Sequence, residues 1–227
     1  MWIHVSQDVQ TESEMTLYYI YFTIILCSLL IGISRYRQIN ESSRFMLLLL
    51  FSTLISEVLS TFIGYNYGTN IFVYHIFMPI EFSLITYIFF IEIKYNWMKW
   101  VSLTYIIVSI YNSLFIQYYK DTFCSYMFVL QCIITTFWSL IYLKKLLESK
   151  AQHNFTTYPL FWFSIGFTIF NIINLFILGT QNTLAFKIPN INLVFRNIRF
   201  LSNYLLYIFF IIAFFTKQSL LKTTLND

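Results

Sequence analysis

Residues Ile71 to Phe90, "IFVYHIFMPIEFSLITYIFF", decide the fold. A helix rises about 1.5 Å per residue, so a run of this length matches the roughly 30 Å hydrocarbon core of a bilayer. Yet it carries His75, Pro79 and Glu81, each costly in hydrocarbon. A span that keeps such residues must turn them toward other protein.

The same apolar pattern recurs on both sides of this stretch. The chain of 227 residues is 58% hydrophobic and only 11% charged, less than half the roughly 25% charge of a soluble domain. Seven runs are long enough to cross a membrane: 17–34, 45–64, 71–93, 100–119, 123–143, 160–180 and 191–215. The connections are short, without a Pro/Gly/Ser-rich linker, so residues 1–227 read as a single all-α domain, a seven-transmembrane-helix bundle. Nothing is left over for a soluble catalytic or nucleic-acid-binding domain. The net charge of +4 comes from Lys and Arg in short loops, and no nucleic-acid partner follows from it.

Those basic residues set the expected orientation. Arg35, Arg37, Arg44, Lys94, Lys99, Lys144, Lys145, Lys150, Lys217 and Lys222 fall on one side of the seven spans, and only Lys120 and Lys187 on the other. The positive-inside rule places the N-terminus outside and the C-terminus in the cytoplasm, in a plasma (inner) membrane. Met1 to Thr16 has no Lys or Arg and no small-residue cleavage site, so the first span is expected to be retained. Tyr18-Tyr19, Tyr65, Tyr67, Tyr95, Trp97 and Trp100 read as interfacial belts.

Polar residues gather at helical spacing within three spans. Ser56, Glu57, Ser60 and Gly64 share one face of the second, Ser164, Thr168, Asn171 and Asn174 mark the sixth, and Arg196, Arg199 and Asn203 the seventh. At about 1.5 Å per residue, Glu57 lies roughly 20 Å up from the cytoplasmic side, Glu81 about 15 Å down from the outside, and Arg196 and Arg199 about 8–12 Å down. The expected site is therefore a polar ligand pocket in the extracellular half, formed by Glu57, Tyr74, His75, Glu81, Asn171, Asn174, Arg196, Arg199 and Asn203. Tyr74 and Glu81, seven apart, face the same way. His75 and Glu81, six apart and about 240° round an ideal helix, need the Pro79 kink to share one cavity.

Two readings of this layer compete. Glu57 and Glu81 neutralised by Arg196 and Arg199 would be structural glue. Four ionisable residues at one depth would equally mark a ligand pathway, the arginines holding an anionic group and the glutamates a cationic one. The second leads, as a stand-alone binding or sensor protein for a small polar or zwitterionic ligand, signalling through a membrane or cytoplasmic partner chain. A small-solute transporter is the alternative, because spans one to three and five to seven would form a parallel 3+1+3 arrangement, with "YIFFI" at 87–91 and again at 207–211 as its sequence echo. A membrane-embedded lipid-modifying enzyme with paired carboxylates ranks third.

Metals and cofactors draw no support. His4 and His153 are expected on opposite sides, and Cys27, Cys124 and Cys132 form no CxxC pair. Span seven lacks a lysine for a retinal Schiff base, and no GxSxG, HExxH or P-loop is present. Asn112, Gln117, Gln131, Thr135 and Ser139 read as interhelical hydrogen-bond formers, and Trp138 as packing.

The stretches "YHIFMPIEFSLITYIFF", "LFWFSIGFTIFNIIN" and "FRNIRFLSNYLLYIFF" together resemble a group of small bacterial seven-span membrane proteins, and more loosely the seven-span input regions of sensor kinases. The resemblance implies a membrane bundle and leaves its activity open.

Overall fold

The computed structural model describes residues 12–148, 154–185 and 191–216. His4, Lys150, His153, Lys187, Lys217 and Lys222 lie outside the described residues.

The described chain folds into helices α1 (Glu12–Ser34), α2 (Glu41–Tyr67), α3 (Ile71–Ile93), α4 (Trp97–Tyr111), α5 (Ser125–Glu148), α6 (Pro159–Ala185) and α7 (Ile191–Phe215). All seven are long and apolar enough to span a membrane, counting α4 with the π-helical turn Asn112–Ile116 that continues it. The outward faces are apolar: Leu48, Phe51, Ile55 and Phe62 of α2 and Ile76 and Ile80 of α3 are exposed. Such stripes have no place in water, while in lipid they are the favourable surface, and helices satisfy their backbone internally there. This is a multi-pass membrane protein.

Local chemistry fixes the helix ends. Asn40 caps α2 by accepting from the Ser43 amide at 3.0 Å. Gly68 ends α2 in the left-handed region at φ 75°, and its N–H returns to the Gly64 carbonyl. Lys94 ends α3 in the same way at φ 64°, its amide 2.8 Å from the Phe90 oxygen. The fourth span stops at Ile116, short of the expected residue 119, because Gln117 is drawn to the next helix. Its side chain accepts from the Tyr126 amide and donates to Ser125 Oγ, capping α5.

Six helices close a ring in the order α1, α2, α3, α5, α6, α7, with α7 returning to α1, and α4 packs outside it against α3. Only 17% of the fourth span is buried, against 28–44% for the others. The odd-numbered helices start at one end of the ring, called upper here, and finish at the lower end. Aromatic side chains fill the lower half: Phe163 of α6 lies 6.0 Å from Phe89 of α3 and 4.8 Å from Phe210 of α7, ring centre to ring centre. The polar residues collect above this plug.

Candidate binding site

Each ring helix presents one inward stripe. On α2 it runs through Leu50, Thr53, Glu57 and Ser60, all buried. On α3 it runs through Tyr74, Met78, Glu81, Ile85 and Ile88, since steps of three and four residues keep one face. Arg196, Arg199 and Asn203 lie along the middle of α7's stripe, followed by buried Leu206 and Phe210. Asn171 and Asn174 occupy the same place on α6, each 2% exposed. The ring order sets α3 across from α7 and α2 across from α6, so acidic and basic or amide residues face one another over the interior.

Two hydrogen-bond groups line that interior. In the first, Tyr21 of α1 donates its hydroxyl proton to Glu57 Oε1 at 3.0 Å. The Tyr207 hydroxyl of α7 stands 3.5 Å from the same Tyr21 oxygen and, with the Tyr21 proton committed, is the donor. Tyr18 bonds Thr61, and Asn70 donates to Ser60, which donates to Tyr74 at 2.7 Å. In the second group, Gln131 of α5 donates to Glu81 Oε2 at 2.8 Å and accepts from the Tyr105 hydroxyl at 3.3 Å. Asn171 donates to Thr135 Oγ1 at 2.7 Å, joining α6 to α5. Asn174 and Asn203 turn their amides back onto their own helices, at the Phe170 and Arg199 carbonyls.

The structure thus brings Glu57, Tyr74, Glu81, Asn171, Asn174, Arg196, Arg199 and Asn203 onto inward stripes, and keeps His75 apart from them. His75 points toward α4: Nε2 is 2.9 Å from the Thr122 carbonyl and Nδ1 is 2.7 Å from Ser113 Oγ. A carbonyl only accepts, so Nε2 carries a proton, while the Ser113 hydroxyl beside Nδ1 also lies 2.8 Å from the Ser109 carbonyl, to which it donates. Pro79 lies within an unbroken α3, its carbonyl accepting from Ser83 Oγ at 2.7 Å, and does not swing His75 round to Glu81. Among the described residues, an ion pair within 4.0 Å joins Lys144 to Glu148 on the surface of α5. A tyrosine and a glutamine, both neutral donors, each bond one of the two carboxylates.

Tyr21, Tyr105 and Tyr207 were not expected in the layer. Tyr21 sits one turn from Tyr18 and two turns from buried Ser28, a spacing that marks an inward face on α1. Among the described residues, no three His, Cys, Asp or Glu side chains come together as metal ligands.

No family model matches the chain, and no curated protein or solved structure matches it. The functional reading rests on the chemistry of this interior.

Proposed function

We infer that the protein binds a small zwitterionic solute inside the helix ring, with the cationic group of the solute at Glu81 and Glu57 and its anionic group at Arg196 and Arg199. The carrying observation is at Glu81. Met78 and Ile85, its neighbours above and below on the inward stripe of α3, are 1% and 0% exposed, whereas Glu81 between them keeps accessible surface. A carboxylate on an inward stripe, held by a neutral donor, suits an ammonium group, and guanidinium groups on the opposite helix suit a carboxylate or phosphate.

The basic loop residues favour the plasma (inner) membrane orientation with the N-terminus outside. The polar layer then lies in the outer half and the aromatic plug on the cytoplasmic side.

Native mass spectrometry of gently purified protein tests the reading. A small molecule carrying both charges is expected to co-purify with the wild type and to be absent from Glu81→Gln and Arg199→Gln. If the wild type carries nothing and both variants alter thermal stability alone, the layer is structural and the binding reading fails.

A further inference from the structure

The six ring helices fall into two triplets of matching length. The helices α1, α2 and α3 have 23, 27 and 23 residues, and α5, α6 and α7 have 24, 27 and 25. Neighbours repeat with them. Exchanging α1 for α5, α2 for α6 and α3 for α7 returns the same ring in the same direction, as a two-fold rotation does and a mirror does not.

The correspondence holds at single residues between α1 and α5. A shift of 110 positions carries every buried position of α1, from Tyr21 to Gly32, onto a buried position of α5, from Gln131 to Tyr142. The same shift carries Arg35 onto Lys145. Arg35 donates from Nη1 to the carbonyls of Phe214 and Phe215, at 3.3 and 3.2 Å, and closes the lower end of the seam between α1 and α7. Lys145 donates from Nζ to the carbonyls of Glu92 and Ile93, at 2.9 and 3.2 Å, and closes the lower end of the seam between α5 and α3. A shift of 122 carries Glu92 and Ile93 onto Phe214 and Phe215.

At the upper end a tyrosine hydroxyl meets each seam, one from α7 and one from α4. There the Tyr204 hydroxyl donates to the Leu17 carbonyl at 2.7 Å across the α7–α1 seam. On the other seam the Tyr105 hydroxyl, stacked on Phe82 at 3.9 Å, donates to the Met127 carbonyl at 3.0 Å. Met127 is Leu17 shifted by 110, and Tyr204 is Phe82 shifted by 122. The "YIFFI" echo has a spacing of 120 and is not part of this register.

We propose that the protein is a carrier built as two equivalent halves, α1–α3 and α5–α7, which move against each other across the two seams and pass the solute held at Glu81 from one face of the membrane to the other. This rests on the interior binding site argued above. Arg35 and Lys145 are the paired latches of the lower gate, and the plug of Phe89, Phe163 and Phe210 lies between them and the polar layer. A site between two-fold-related halves can be exposed to either side by one rocking motion, because each half presents an equivalent seam to the other.

A substrate-independent probe tests this. In full-length protein carrying Cys27→Ala, Cys124→Ala and Cys132→Ala, a reporter Asn203→Cys is placed on the inward stripe of α7, and a membrane-impermeant maleimide is applied to sealed vesicles of both orientations. Labelling from both faces is expected. Arg35→Ala and Lys145→Ala should each raise the rate from the lower face by about tenfold, the worth of one charged hydrogen bond in a two-state equilibrium, and by similar factors, while Arg35→Lys stays near the wild type. Labelling from the upper face alone, indifferent to both latches, overturns the carrier and leaves a one-sided binding site. A response to one latch only overturns the equivalence of the halves and with it the proposal. Absence of labelling from either face removes the interior site as well. Should Asn203→Cys fail to fold, Thr135→Cys, a near-isosteric change on α5, serves as the reporter.

Discussion

His75 and Glu81 stand six residues apart on one helix, and their surroundings differ in kind. The imidazole has both nitrogens engaged, one by the Ser113 hydroxyl and one by the Thr122 carbonyl, and so ties α3 to the end of α4 and the loop beyond. The carboxylate has one hydrogen-bond partner, Gln131, among the described residues and is not fully buried. Both are polar groups inside an apolar bundle. A fully bonded one holds helices together, whereas one bonded on a single side leaves chemistry to spare.

The largest effect should separate the two directly. Glu81→Gln keeps the shape and can still accept from Gln131, so thermal stability should be unchanged or raised as a charge leaves the interior. Binding of the co-purifying solute, measured by calorimetry, should weaken by about 3 kcal/mol, roughly a hundredfold. A binding loss under twofold would put Glu81 in the same class as His75. His75→Ala should do the converse. It strands the Thr122 carbonyl, while Ser113 keeps its bond to the Ser109 carbonyl, and should cost about 2 kcal/mol of stability in a detergent unfolding titration with affinity intact. Tyr21→Phe tests the partner carboxylate: losing the donor to Glu57 should cost about 1 kcal/mol of stability and weaken binding several-fold. Smallest is Ser113→Ala, expected at about 0.5–1 kcal/mol because His75 retains its Thr122 bond. If Ser113→Ala exceeded His75→Ala, the imidazole would not be the centre of that joint.

The spans and their polar stripes could be read from sequence because hydropathy and helical spacing are one-dimensional properties. Glu57, Asn171 and Arg199 declare an inward face by their cost in lipid, whatever they touch. Tyr21 and Tyr207 declare far less, since a tyrosine is equally at home in an interfacial belt: the spacing to Ser28 gives Tyr21 a face, but only the fold sets it against Glu57. The separation of His75 from Glu81 follows from the ideal helical angle, but Pro79 obscured it by offering a kink that the helix does not use to reunite them. The neighbours of α3 were not legible at all. That it packs on α5, with α4 displaced to the outside, depends on distant helices closing a ring, and no local pattern carries that information.

The position of α4 has a consequence for how such a chain could come into being. Three crossings leave a polypeptide on the far side of the membrane, so a copied triplet joined directly to the first would be inserted upside down. One extra crossing restores the parity, and the second triplet then enters the bilayer in the same sense as the first. A helix with that task needs length and greasiness more than a particular surface, which is why α4 can stand outside the ring with most of its face turned to lipid.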